Sequence, residues 1–545
     1  MDREILETDV LCVGGGVAGL MAAIRASELG AKVIVAEKGN TVRSGSAGMG
    51  NDHFRCYIPE IHGPDIQPVL GMLSHSPIGL MRSRQFTRTW MERSFDIIKL
   101  WESWGIPIKY QGKYELAGHG FPGRPLPSLK YSGLDQKPIL TREALKRGVK
   151  IRNRAMVFDL LLGDGVVGAI GIDTREDRIL EFHAKSVFLG TGLCTRLYPG
   201  PTPASIFNVA NAPSNTGDGR AIAYRAGAEI CNAELTMRWA GPKYFARCGK
   251  GSWVGVLRDP EGKPIGPFVT KPDRKYGDAA ADVWDNVFED YARAGKGPVY
   301  MDCTGITDED LEYMMHWMHN EGNTSLFNHC AEEGIDVRKN PIEFMTYEMI
   351  LSGGVRYNEK GETSLKGLFA AGDEWFGGIS CASTFGWIAG ENAAKYAKAS
   401  VPLKPERIDE QVEERKGLFL QIRNRMDGTG WQEVNIALQQ VMNDYAGLIR
   451  SETLLRAGLN HLRRLKAKAP ALLMAKNQHE LARSLEVLNL IDLGELVMIA
   501  ADERKESRRK HVRADYPFTN PLLEKLLIVK KVEGKPMAEW REINP

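Results

Sequence analysis

The chain lacks any stretch of the roughly 18 uninterrupted apolar residues that a membrane-crossing helix needs, so no direct membrane insertion is expected. It also lacks an excess of one charge. The 71 Lys and Arg against 69 Asp and Glu leave +2, which gives no footing for nucleic acid or an anionic membrane. Cysteine is sparse: Cys12, Cys56, Cys194, Cys231, Cys248, Cys303, Cys330 and Cys381 are scattered, with no Cys-x-x-Cys pair. That pattern argues against an iron–sulfur cluster or zinc site held by this chain, and against a disulfide framework. Most of these cysteines read as small buried apolar residues. No internal repeat or low-complexity tract is present. Met1-Asp2-Arg3-Glu4 runs into an apolar strand instead of a leader, so a cytoplasmic location is expected.

With 545 residues, 43% of them hydrophobic and 26% charged, the chain predicts a soluble globular protein of two or three domains. Its strongest local signal is the apolar strand from Val10 into Gly14-x-Gly16-x-x-Gly19, a following helix, a second apolar run Val33–Ala36, and the acid Glu37. This is the βαβ pattern that binds a dinucleotide. Gly14 permits the tight turn, Gly16 lets a pyrophosphate approach, and Gly19 lets helix and strand pack closely. Val17 and Ala18 open a helix whose free N–H groups face phosphate, and Glu37 is spaced to accept from a ribose.

Further along, residues 40–65 form a Gly-rich polar loop, and residues 80–104 carry helical periodicity closed by Gly105 and Pro107. Residues 155–190 alternate around Gly163-Asp164-Gly165 and read as hairpin strands. Gly190-Thr191-Gly192 ends a buried strand, and Asn215-Thr216-Gly217-Asp218-Gly219 opens a helix over 220–226. Residues 240–345 change character, mixing Pro, Gly and charge with short helices. Gly372-Asp373 then follows another strand and precedes a helix over 385–398. Residues 405–545 read as mostly helical, with Arg504, Lys505, Arg508, Arg509, Lys510 and Arg513 on a solvated helix beside Glu503 and Glu506.

Several glycine turns in this order suit a long cofactor, FAD, whose adenosine, pyrophosphate, ribityl chain and isoalloxazine need separate clamps. Asp373, between a strand and a helix, is placed for ribityl hydroxyls. At Glu37-Lys38, Arg43-Ser44-Gly45, residues 184–192, Asn215 to Gly219, residues 368–373 and the run from Arg504 to Pro517, the chain resembles the flavoprotein subunits of succinate dehydrogenase, fumarate reductase and adenylylsulfate reductase. The resemblance covers nearly the whole chain, and its cap is closest in layout to the adenylylsulfate reductase alpha subunit. It implies an α/β fold with a Rossmann-like FAD-binding domain split in sequence (1–238 and 347–403), an inserted α+β capping domain (239–346) and a C-terminal helical domain (404–545). It further implies an FAD-dependent oxidoreductase with a small-molecule substrate and a ferredoxin-like iron–sulfur partner. Flavin-contact candidates carried over are Arg43, Ser44, Gly45, Gly48, Met49, Gly50, Val157, Gly190, Thr191, Gly192, Asn215, Asp218, Gly372, Asp373, Ser383 and Thr384, together with the first glycine turn, Glu37 and Lys38.

The departures from the family pattern carry information. Where membrane-type succinate dehydrogenases have Arg-Ser-His with the His joined to FAD, this chain has Arg43-Ser44-Gly45, so noncovalent FAD is expected. The segments Gly378–Ser383 and Met349–Gly354 lack the arginine and histidine of the succinate and fumarate enzymes, which argues against a succinate or fumarate substrate. Arg55 stands where adenylylsulfate reductases carry asparagine, and either binds an anionic substrate or pairs with a carboxylate. His53 is a proton donor or a loop-packing residue, and Glu348 an acid/base or a hinge residue. Arg238 and Arg247 flank the entry into the cap and either recognise an acid group or form surface ion pairs. Trp239 stacks on the isoalloxazine or joins the cap to its neighbour. His329 and Cys330 read as ordinary packing. Two other activities stay open: an electron-transfer subunit without its own substrate, and oxidase chemistry of the aspartate-oxidase kind.

Overall fold

The computed structural model describes all residues except 75–80, 119, 121, 203–204, 244–251, 279, 281–283, 285, 376, 401–407 and 544–545. The strand Asp2–Val13 lies at the centre of a seven-stranded sheet, pairing in parallel with Val33–Glu37 on one side and Arg178–Leu189 on the other. Lys150–Asn153 extends the sheet beyond Val33–Glu37 in parallel. On the far side, Ala155–Gly163 and Gly165–Asp173 form the antiparallel hairpin that turns at Asp164, and Leu368–Ala370 adds in parallel to the later half of Arg178–Leu189. Buried parallel strands read as continuous apolar runs, which is why Val10–Val13 and Val33–Ala36 carry no polar alternation.

The helices Val17–Glu28 and Gly378–Ala399 pack against each other under this sheet. Glycine permits the approach. A Cβ at Gly386 would stand 2.6 Å from the Ala18 carbonyl, and one at Gly390 2.3 Å from that of Ala22. The second helix begins seven residues before the periodicity at Phe385, because its first turns bury Ser380, Cys381 and Ser383 instead of large apolar residues. The helix expected over 80–104 spans Arg84–Ser103, where the Ser83 hydroxyl accepts from Phe86 N–H at 3.0 Å and caps it. Leu80 lies outside the described residues.

A second, antiparallel sheet of Thr236–Pro242, Ile342–Leu351, Val299–Asp302 and Val256–Arg258 carries its own core, including Trp253, Met314 and Trp317. Four helices follow, Asp409–Arg423, Trp431–Ala446, Glu452–Leu472 and Gln478–Glu503. The last is buried along most of its length. Among the described residues, no helix is long and apolar enough to cross a membrane.

One expectation for the C-terminal third is corrected. The basic run is not a solvated helix: the helix ends at Glu503, and Arg504, Glu506, His511 and Arg513 are fully buried. Arg504 pairs with Glu234 at 2.5 Å and Glu506 at 2.8 Å, and Arg513 pairs with Asp515 at 2.7 Å. The nearby Glu506 and Asp515 and the remote Glu234 together neutralise the basic residues inside the fold, and the remote contribution is a tertiary effect that charge spacing alone does not reveal. The chain then ends in a hairpin, Leu526–Val532 and Lys535–Arg541, which pairs with Ile230–Cys231. All seven described cysteines are buried and free, and Cys248 lies outside the described residues.

Candidate active site

A cavity of about 410 Å³ opens between the glycine turns of the large sheet and the second sheet. The fingerprint turn forms one end. Gly14 adopts φ +95°, and its Cβ would stand 2.5 Å from the Gly190 carbonyl, so only glycine fits. Gly19 lies behind the turn, where a Cβ would come within 1.8 Å of the Gly14 carbonyl. Gly16, Val17 and Ala18 line the cavity, and the helix they open has no side-chain cap for its free N–H groups. Ser44, at the same wall, has a buried hydroxyl with no partner among the described residues. An uncapped helix start, a glycine wall and an orphaned hydroxyl fit a dinucleotide.

Most of the anticipated residues meet here. Glu37, Lys38, Gly45, Gly50, Val157, Gly190, Thr191, Gly192, Asn215, Asp218 and Asp373 all line the cavity. Several are already engaged. Glu37 accepts from Gly15 N–H and Gly39 N–H, both at 2.7 Å. Lys38 is held by Asp218 at 2.7 Å and Glu486 at 2.8 Å. Burial opposes its charge, but the two carboxylates outweigh burial and raise its pKa. Asp373 Oδ1 accepts from Gly378 N–H at 2.9 Å and Gly377 N–H at 3.2 Å.

Others stand apart from the cavity. Arg43 turns outward to Asp135, Met49 is half exposed, and Gly48 packs on the Arg43 carbonyl. Gly372 packs on Ala382, and Ser383 bonds to carbonyls of its own helix. Thr384 is fully buried, its hydroxyl without a partner among the described residues. Glu348 is buried behind the wall, where both oxygens accept from Ala210 N–H; burial raises its pKa against that bond. Arg247 lies outside the described residues.

Across the cavity, His53 and Arg55 sit on one short strand. His53 Nδ1 lies 2.6 Å from Asp52 Oδ1. Asp52 is fully buried, bonded through Oδ2 to Lys130 and to the Ser252 hydroxyl at 2.7 Å. Burial works against its charge, yet Lys130 and His53 hold it well below the usual carboxylate range. Glu321 completes the one cluster of potential metal-ligating side chains among the described residues. There the Lys130 ammonium already supplies the cation.

The second sheet contributes Arg238 and Trp239. Arg238 pairs with Glu289 at 2.9 Å, which leaves its Nε buried without a partner among the described residues. Trp239 Nε1 and Asn211 Nδ2 are likewise buried without partners among the described residues, and all three residues face the same cavity. Arg509 and Lys510 reach it from the turn after the last long helix. Arg509 takes φ +55°, a strained conformation for a side-chain-bearing residue.

Sequence reasoning missed several of these groups. Arg82, buried on the cavity wall, places its guanidinium 3.9 Å from Cys381 Sγ and over the Trp375 ring. The segment 378–383, which has no arginine of its own, thus receives one from a remote part of the chain. Lys130 and Asn211 gave no local motif, because only the tertiary fold brings them to the site.

This fold and this glycine-walled cavity define a flavoprotein of the split dinucleotide-binding type. The chain matches the family of FAD binding domains over residues 9–49 and 138–386, and the fumarate reductase flavoprotein C-terminal family over residues 435–544. It belongs to the fumarate reductase and succinate dehydrogenase flavoprotein superfamily, binds FAD and is an FAD-dependent oxidoreductase. It is 28% identical to one subunit of the fumarate reductase (CoM/CoB) of Methanothermobacter marburgensis, over 98% of this chain and 99% of that protein. Its fold is similar to that of adenylylsulfate reductase from Archaeoglobus fulgidus (TM-score 0.85, 21% identity, 99% and 96% of the two chains). It is also similar to E. coli quinol fumarate reductase FrdA (TM-score 0.83, 20% identity, 100% and 98% covered).

Proposed function

We propose that the chain is the flavin subunit of a two-electron oxidoreductase for a small anionic substrate, with FAD held noncovalently and electrons exchanged with an iron–sulfur partner. The observation that carries this reading is the trio of buried donors without a partner among the described residues, Asn211 Nδ2, Arg238 Nε and Trp239 Nε1, in a cavity also lined by Arg55, Arg509 and Lys510. Buried donors are almost always satisfied, and an oxyanion supplies acceptors and the opposite charge.

Bound FAD supplies two-electron chemistry toward the substrate and one-electron chemistry toward a partner. The chain's part is to bind and orient. Gly16, Val17 and Ala18 offer amides to the pyrophosphate, Glu37 and Asp373 offer acceptors to ribose and ribityl hydroxyls, and the cap residues seat the substrate. His53, oriented by Asp52, holds or moves a proton at the reacting end. Gly45, in the position of the covalent histidine, supports noncovalent FAD. The absence of Cys-x-x-Cys supports clusters on a separate chain, and the relative from Methanothermobacter marburgensis is itself one subunit of a fumarate reductase.

The test is isolation of the holoprotein from its native source, followed by titration with carboxylates, sulfonates and phosphates while the flavin absorption band is recorded. An iron–sulfur chain in the preparation and saturable band shifts with anions are expected. A preparation without clusters, or a band indifferent to every anion, overturns the corresponding half of the reading.

A further inference from the structure

We propose that Lys137 is a positioning residue for the FAD pyrophosphate: it pins the Gly15 carbonyl from behind, so that the amide of the same peptide unit, Gly16 N–H, points into the cavity. The inference rests on the FAD reading above.

Lys137 stands in the first turn of the helix Gln136–Lys146, fully buried, and its ammonium donates to the Gly15 carbonyl. On the other side of the same residue, Gly15 N–H donates to Glu37 Oε2 at 2.7 Å. The two contacts fix consecutive peptide planes. In a trans peptide, C=O and N–H point in opposite directions, so a carbonyl held toward Lys137 turns the Gly16 amide away from it. Gly16 faces the cavity, and even a Cβ there would lie no closer than 3.6 Å to a neighbour. The Gly15 amide held by Glu37 likewise turns the Gly14 carbonyl toward Gly19, the approach that excludes any side chain at Gly19.

Three consecutive glycines are the most freely rotating backbone a chain can have, and a binding turn built from them loses that freedom on taking ligand. Here a lysine and a glutamate outside the turn have already removed it. A neutral donor would pin the carbonyl equally well. The ammonium adds positive charge directly behind amides that face a dianionic group, and it strengthens the Gly16 N–H through the polarised peptide.

The charge is also poised to be lost. Burial lowers Lys137 to about 8, with Glu37 acting in the opposite direction. The other charges on its own helix and around it are paired elsewhere: Glu143 with Arg142, Lys146 and Arg147, Arg25 with Glu391, Glu28 with Arg147, and Arg43 with Asp135. Pyrophosphate favours the charged lysine. Affinity for FAD is therefore full below about pH 8 and falls as the pH rises through it.

The experiment is FAD affinity of the full-length apoprotein, read by quenching of flavin fluorescence from about pH 7 to about pH 10. Wild type is expected to weaken about tenfold across that range. Lys137→Met is expected to bind about tenfold more weakly at pH 7 and to show no step near pH 8, while its melting temperature reports that it is folded. Equal affinity of Lys137→Met and wild type, or a wild-type profile flat through pH 8, overturns the proposal. Should Lys137→Met fail to fold, the wild-type profile decides alone. A wild-type apoprotein that takes no FAD at pH 7 instead overturns the cofactor assignment itself.

Discussion

Asp52 and His53, neighbours in sequence, are joined by a 2.6 Å contact between Oδ1 and Nδ1, while the other oxygen of Asp52 serves the buried Lys130. One carboxylate thus orients an imidazole on the cavity wall and neutralises an ammonium beneath it. Removing its charge takes from that ammonium a fully buried counter-charge. Asp52→Asn is expected to cost about 3–5 kcal/mol in denaturant unfolding, the range for breaking a buried pair. A loss within about 1 kcal/mol would mean that Lys130 finds another acceptor.

Glu486, on the helix Gln478–Glu503, extends the same logic, pairing with Lys38 at 2.8 Å and Arg196 at 2.7 Å. Burial opposes its charge, but Lys38, Arg196 and Arg483 lower its pKa from 4.5 to about 2. A carboxylate depressed on folding contributes stability above its unfolded value and loses it as the pH falls through the folded one. Stability is therefore expected to decline between pH 4.5 and about 2. Glu486→Gln is expected to flatten that part of the profile, as calorimetry across this range would record.

The noncovalent assignment has a direct readout. Acid precipitation of the holoprotein is expected to leave the yellow flavin in the supernatant. Flavin that stays with the denatured chain on a gel would place the attachment elsewhere than at Gly45.

Arg238→Met removes one of the three buried donors and leaves the glycine turns intact. It is expected to weaken anion-induced shifts of the flavin band by at least about tenfold, with FAD content unchanged. Loss of FAD together with anion binding would show that the cap arginine acts on the cofactor instead of the substrate.

The helix pair beneath the sheet offers a packing test. Gly390→Val drives a branched side chain into the Ala22 carbonyl, and is expected to cost about 1–3 kcal/mol or more and to lower the melting temperature. An unchanged melting temperature would mean that the two helices separate freely.

What was legible in the sequence follows the range of the interactions. The first glycine turn, the Gly163–Gly165 hairpin and the helix after Asn215 are set by residues within a few positions of one another, and each appears where local chemistry puts it. The 504–513 segment misled because Glu234, the buried partner of Arg504, lies 270 residues away. Arg82, Lys137 and Asn211 were invisible for the same reason: no spacing rule links Lys137 to Gly15, or Arg82 to a segment three hundred residues later. Glu37 was recognisable as an acid at a strand end, but its hold on two backbone amides needed coordinates.

The closing hairpin, Leu526–Val532 and Lys535–Arg541, bonds to Ile230–Cys231, just ahead of the strand that leads into the cap. Ile230–Cys231 thus takes its sheet partner from a segment about 300 residues further along the chain. Damage to that hairpin would be felt beside the strand that carries Arg238 and Trp239 to the cavity, which ties the completion of one cavity wall to a segment remote in sequence.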